Sequence, residues 1–165
     1  MSLLNAFRKK EGVSRETALK TFKNNLEAAL PLLKAAKVVG LIEPINPYSV
    51  PNYNMDNYED AVQLVKDLDS PWLRLQLDIF HLQQIKGNIT RNIKDFLPIV
   101  GHVQVRVQEH LYHLKITFKI AQVPGRGEPD SDGEVNYRNV LATLDAQGYQ
   151  VATIFFADEL VKTSK

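Results

Sequence analysis

Two acids that close apolar runs are the residues of this sequence best suited to chemistry. In Gly40-Leu41-Ile42-Glu43-Pro44-Ile45-Asn46 a carboxylate ends a short aliphatic run, and Pro44 then bars easy continuation. The stretch from Leu73 to His81 (LRLQLDIFH) repeats the design with Asp78. Val38 to Glu43 and Trp72 to Asp78 both read as strands buried on two faces, each handing its last side chain to one rim of a sheet. Two carboxylates on one rim suit a divalent cation or an acid–base pair. His81, three residues after Asp78, is either a structural hydrogen-bonding histidine or a third group at that rim.

Composition narrows the choice. The chain has 165 residues, 44% hydrophobic and 24% charged, with a formal net charge of +1. That suits one domain with a sizeable core, and it lacks the basic stripe of a nucleic-acid binder. No cysteine is present, so any metal must take oxygen and imidazole ligands, which favours magnesium, manganese or a similar hard ion. No run approaches the roughly 18 apolar residues of a membrane span, and the first residues lack the length and charge order of a signal peptide. A cytoplasmic protein is the expectation.

The elements that must position the acids follow from periodicity. Ser14 is suited to cap a helix, after which Leu19, Phe22, Leu26, Ala29, Leu30 and Leu33 recur at helical steps, with Pro31 expected to kink or interrupt it. Residues 44–55 form a long loop, the kind of carboxyl-end loop that carries binding residues. A second helix begins at Asp56, and residues 80–87 read as a loop. A third helix lies within residues 88–100, and Gly101 to Gln104 starts a third strand whose period-two rule places His102 and Gln104 on one face. Val105 to Lys119 reads as a strand or hairpin arm. Glu134 to Gln147 is a fourth helix with Gly148 as its stop, and Val151 to Phe156 a last strand. Alternating helices and parallel strands predict an α/β fold with a parallel sheet, and the repeat matches one βα unit of a TIM barrel.

The segments GLIEPIN, QLDIFH, GNIT…DFLPIVGHVQ, IAQVPGRGEPDS and GEVNY…GYQ, in that order, resemble the hydroxypyruvate isomerase family of xylose-isomerase-like TIM barrels. The likeness runs from about Ser14 to Gln150 and implies a partial TIM barrel, corresponding to roughly the second half of a (β/α)8 barrel. It implies an aldose–ketose type isomerase interconverting hydroxypyruvate and tartronate semialdehyde through an enediolate, with a divalent metal at the carboxyl ends of the barrel strands. Carried onto this sequence, the metal ligands are Glu43, Asp78 and Gln104. Glu43 is also a proton donor and acceptor, and His81 and Arg126 contact substrate. The residue types suit the chemistry: a cation stabilises developing negative charge on substrate oxygens, carboxylates move protons between neighbouring carbons, and an arginine fork grips a substrate carboxylate. His102 is then a neighbour of the site. His110 and His113, three apart, lie in a stretch foreign to the family and are not read as a metal pair.

Three departures qualify the likeness. A whole barrel takes eight βα units and about 250 residues, so the chain is expected to be one incomplete domain over 1–165, N-terminally truncated, with 1–13 disordered and 157–165 a tail. Exposed sheet edges would then invite self-association. Residues 105–119 interrupt what the family joins directly. If 101–104 forms the strand, Gln104 keeps its place and Arg126 is displaced; if 116–121 forms it, Arg126 is well placed and Lys119 occupies the ligand position. Finally, Phe156 stands where the family's second glutamate belongs, and Glu159 falls three residues late. Both foreign segments open on a valine directly after a family glutamine, as translation through an intron donor would give. The resulting expectation is a hydroxypyruvate isomerase-like chain that is itself inactive. The alternative is a non-catalytic remnant or interaction module of the same family. A metal-dependent DNA-repair nuclease of a related barrel is disfavoured by the near-neutral charge and the few histidines.

Overall fold

The computed structural model describes residues 1–4, 8–104, 106–107, 119–125, 127 and 131–149. Four parallel strands form one sheet in the order β1 (Ser2–Leu3), β2 (Gly40–Ile42), β3 (Leu73–Asp78), β4 (Val100–Gln104). Spatial order equals chain order, and each crossover carries helix: α1 (Arg15–Ala36), α2 (Tyr58–Leu68), then α3 (Ile79–Ile85) and α4 (Ile89–Phe96) with a 3-10 turn at Leu97–Ile99. Successive parallel neighbours joined by helices are the pattern of an arc of a (β/α)8 barrel, which bears out the expected fold class.

Alternation along β3 sorts the sheet into two faces. Leu73, Leu75 and Leu77 are fully buried and join Phe22 and Leu26 of α1 with Tyr58, Ala61, Leu64 and Val65 of α2 in one core. Arg74 lies on the other face, where a Cβ on Gly101 would meet it. The pairing of β3 with β4 slips at this point: Leu75 is level with Val100, but Gln76 is level with His102. Gly101 is the extra residue, and with no side chain it lets β4 bulge where Arg74 and Leu41 leave no room.

Helix ends follow local chemistry. The Ser14 side chain accepts from the Thr17 N–H, and the Asn57 side chain from the Asp60 N–H, so α2 starts at Tyr58 rather than at Asp56. α5 (Tyr137–Ala146) stops where Gly148 takes φ 73°; Gly148 N–H reaches Asp145 O at 2.8 Å and Tyr149 N–H reaches Leu144 O at 3.1 Å. Gly148 therefore fills its expected role.

Several expectations need correction. α1 runs through Pro31 without ending, because Pro31 sits on the exposed face where water can serve the carbonyl it leaves unbonded. Residues 80–87 are mostly helix, because Asp78 caps α3. Ser2 and Leu3, within the segment given to disorder, pair with Gly40 and Leu41 as the edge strand β1. Within 105–119, β5 (Arg106–Val107) pairs in parallel with β6 (Lys119–Ile120), so the described part is not a hairpin. The strand expected at 151–156 and the tail at 157–165 lie outside the described residues.

Candidate functional site

Strand ends and the first turn of α3 bring predicted residues together. Glu43 follows β2 directly and Asp78 ends β3, both at the carboxyl rim and both buried. One ligand-capable atom from each of Glu43, Asp78 and His81 lies within 4.8 Å of the others. Gln104 ends β4, in register opposite Asp78, whereas Lys119 pairs with Arg106 outside this sheet. Of the two registers open from sequence, the main sheet takes the one that keeps Gln104 in place. Arg126 and Phe156 lie outside the described residues.

Asp78 does two jobs. Its Oδ1 accepts from the Phe80 N–H at 2.8 Å and the His81 N–H at 3.4 Å, capping α3. Its Oδ2 lies 3.8 Å from His81 Nε2. The cap makes the chain turn straight from strand into helix, and that turn swings His81 back beside Asp78.

The far side of His81 is held by Asn46, which is fully buried in the 44–55 loop. The Asn46 backbone N–H points at His81 Nδ1 over 3.3 Å, and Asn46 Nδ2 lies 2.6 Å from the same nitrogen. Ser49 fixes the Asn46 amide: Ser49 N–H donates to Asn46 Oδ1 at 2.9 Å, and Asn46 Nδ2 donates to Ser49 Oγ at 3.1 Å. The same loop is folded onto itself by the Ile45 N–H to Met55 O bond of 2.9 Å.

Two buried tyrosines report the local field. Burial, then the charges of Asp78 and Glu43, push the Tyr58 hydroxyl well above its ordinary pKa. Burial and Asp78 raise Tyr137 in the same direction. Tyr58 Oη donates to the Asp78 carbonyl at 3.3 Å, and its ring stacks on Phe96 with centroids 5.4 Å apart. Both phenols thus stay neutral and offer no positive charge. Two buried carboxylates and an imidazole with hard donor atoms, in a negative local field, fit a divalent cation. Beside the cluster an open cleft of about 660 Å³ is lined by Tyr48, Ser49, Phe80, Gln83, Pro124 and Glu134, and Gly125, the neighbour of Arg126, lines it too. Burial holds the pKa of half-buried His102 below the ordinary histidine value.

Comparison with known proteins agrees with this fold. The family model described as "Xylose isomerase-like TIM barrel" matches residues 3–157. The chain belongs to the xylose isomerase-like TIM barrel family. Among relatives, a human protein named "Putative hydroxypyruvate isomerase" is 43% identical over 130 residues, covering 78% of this chain and 42% of that protein. The hydroxypyruvate isomerase of Escherichia coli K12 is 30% identical over 138 residues, covering 84% of this chain and 47% of the other. A solved structure from Brucella melitensis, titled an AP endonuclease of family 2, superposes with a TM-score of 0.70 at 34% identity, covering 84% of this chain and 48% of that one. The chain thus spans less than half the length of these relatives.

Three successive parallel strands thus bring Glu43, Asp78 and Gln104 in order along one rim. Sequence reasoning found these and His81 but gave no role to Asn46 or Tyr58. Asn46 was visible as an amide two residues past Pro44, in the motif that carries Glu43. Nothing in the sequence marked Tyr58 apart from other helix-face aromatics.

Proposed function

We propose that this chain supplies the Glu43–Asp78–Gln104 part of a divalent-metal isomerase site for a short 2-oxo acid, interconverting hydroxypyruvate and tartronate semialdehyde. The observation that supports it best is the convergence of buried Glu43, Asp78 and His81 within 4.8 Å at a parallel-strand rim. Glu43, Asp78 and Gln104 would hold a magnesium or manganese ion, which when bound would supply positive charge to offset the negative charge developing on the substrate. Glu43 takes the proton from the hydroxymethyl carbon of hydroxypyruvate. The electron pair left behind forms the enediolate; protonation of the former carbonyl carbon, with the hydroxymethyl O–H proton passing to the former carbonyl oxygen, completes the aldehyde. His81 contacts a substrate oxygen, and Arg126 pairs with the substrate carboxylate. Return of the proton on the opposite side needs the second glutamate, whose place in sequence is taken by Phe156. The isolated 165-residue chain is therefore expected to bind metal and substrate without sustained turnover.

Thermal melting with and without manganese tests the site. A cation that binds only the folded chain stabilises it by about 2.7 kcal/mol at a hundredfold excess over its dissociation constant. Glu43→Gln and Asp78→Asn should each abolish that rise. An unchanged melting temperature in the parent chain refutes the metal site, and brisk manganese-dependent isomerisation by the parent chain refutes the expected lack of turnover. Among the described residues no helix is long and apolar enough to cross a membrane. The endonuclease reading suggested by the Brucella title is not favoured by a formal net charge of +1.

A further inference from the structure

We propose that Asn46 is a positioning residue that fixes His81 as the Nε2–H tautomer, making His81 a hydrogen-bond donor to a substrate oxygen and excluding it as a metal ligand through that nitrogen. The inference deepens the oxo-acid reading above and rests on it for the identity of the acceptor, but the tautomer itself follows from hydrogen bonding alone.

Which end of an amide is nitrogen must be settled from its partners. For Asn46 the partners settle it. Ser49 N–H is a donor only, so the atom 2.9 Å away must be the Asn46 carbonyl oxygen. The other end, at 2.6 Å from His81 Nδ1, is therefore the NH2 group. The Asn46 backbone N–H also aims at Nδ1, over 3.3 Å. A backbone N–H is a donor whatever the state of its partner, and so is the amide nitrogen. Nδ1 thus faces two donors and must present its lone pair. In a neutral imidazole the proton then resides on Nε2, the nitrogen that looks towards Asp78 Oδ2 across 3.8 Å.

The consequence separates two roles that proximity alone leaves merged. Glu43, Asp78 and His81 all offer donor atoms within 4.8 Å, as three ligands would. A ring nitrogen that carries a hydrogen has no lone pair for a cation. The two carboxylates are left to hold the metal, while His81 Nε2–H suits a carbonyl or alkoxide oxygen, the group on which charge develops when a proton leaves the adjacent carbon. Asn46 is thus the orienting partner behind the histidine, a part usually played by a backbone carbonyl or carboxylate that fixes the opposite tautomer.

The full 165-residue chain labelled with 15N-histidine tests this by two-bond 1H–15N correlation spectra, at a pH where imidazole is neutral. The chain has four histidines, and the His81 signals are those lost in His81→Gln. Wild-type His81 should show a pyridine-like Nδ1 and a pyrrole-like Nε2. Asn46→Asp replaces the donor by an acceptor and should swap the pattern to Nδ1–H; Asn46→Ala should leave a mixture. A merely structural asparagine would not produce that ordered swap. Added magnesium should leave Nε2 pyrrole-like. A pyrrole-like Nδ1 in the wild type, protons on both nitrogens, or loss of the Nε2 proton on adding magnesium each overturns the proposal. The wild-type spectrum decides even if the variants fail to fold. No substrate enters these spectra, so an unchanged melting temperature with manganese beside the expected tautomer refutes only the functional reading, and the reverse result refutes only the role of Asn46.

Discussion

Replacing Gly101 by alanine should cost more than replacing Gly40, although both glycines are tightly surrounded. A Cβ on Gly101 would lie 2.6 Å from Arg74 Cβ and 2.9 Å from Leu41 Cδ2. A Cβ on Gly40 would lie 2.6 Å from Leu4 Cδ1 and 2.9 Å from Leu33 Cδ1. The distances match, but the obstacles differ. Leucine methyls can turn away by a rotamer change, whereas Arg74 Cβ is bonded to the backbone of β3. Ordinary contact begins near 3.4 Å, so β3 and β4 must separate by about 0.8 Å or the Gly101 bulge must straighten. Overpacking of this kind costs about 1–3 kcal/mol, and the rigid obstacle puts Gly101→Ala at the upper end. Gly40→Ala should cost about 1 kcal/mol at most, since flexible neighbours yield and alanine restricts the unfolded chain. Urea unfolding followed by circular dichroism should separate the two by about 2 kcal/mol, or roughly 4–8 °C in melting temperature for a chain of this size. A second readout ties the glycine to the rim: a straightened β4 loses the pairing of Gln104 opposite Asp78, so the manganese-induced rise should shrink in Gly101→Ala and persist in Gly40→Ala. Equal or reversed stabilities would refute the argument that Gly101 is the residue admitting the bulge.

Two further predictions follow from hydrogen bonds and charge. Asp78→Ala and Asp78→Asn both remove the carboxylate, but only asparagine can still cap α3 by accepting from Phe80 and His81; the alanine variant should be less stable by about 1 kcal/mol in metal-free urea unfolding. At the surface, burial alone would raise the Asp56 carboxyl, but hydrogen bonds and charge from Lys9 and Arg15 outweigh it and hold its pKa below the ordinary value. A depressed folded pKa adds stability above the unfolded pKa that is lost as pH falls through the folded one. Carboxyl NMR titration should therefore show Asp56 moving upward in Arg15→Ala. The stability involved is no more than about 1 kcal/mol, because Lys9 and Arg15 are well exposed.

The strand-end acids were legible in the sequence because one proline and one pair of apolar runs fix them. An aliphatic run closed by Glu43-Pro44 has few ways to end other than at a rim. Asp78 was equally legible as a strand-end acid, and it also proves to be a helix cap, since one side-chain oxygen serves α3 while the other faces His81. What sequence could not give was α3 itself: its seven residues, IFHLQQI, are too few to show helical periodicity, and the helix depends on that cap. Pro31 misled in the other direction. Proline in an exposed helix face costs stability, yet Phe22 and Leu26 anchor α1 in the core strongly enough to carry it through. The role of Asn46 was hidden because it depends on Ser49 three residues on and on His81 thirty-five residues on, contacts that no local pattern encodes.

The missing half of the proton-transfer pair gives the most direct test of the functional reading. On the proposed reading Glu43 serves one side of the carbon pair, and the family likeness puts the other carboxylate at position 156, where this chain has phenylalanine. Phe156→Glu restores an acid at that position without touching Glu43, Asp78, His81 or Gln104. A positioned general acid or base contributes about 10²–10⁴-fold to a rate, so manganese-dependent conversion of hydroxypyruvate should rise by at least the lower figure over the parent chain. The control is Phe156→Gln, which matches the glutamate in size and polarity but holds no proton to exchange, and it should gain nothing. The gain in Phe156→Glu should also vanish on adding Glu43→Gln, because two acids acting on opposite sides of one carbon pair fail together. If Phe156→Glu folds and binds manganese as the parent does and yet shows no gain, the pairing of Glu43 with that position is wrong, and proton return must come from another group or from water.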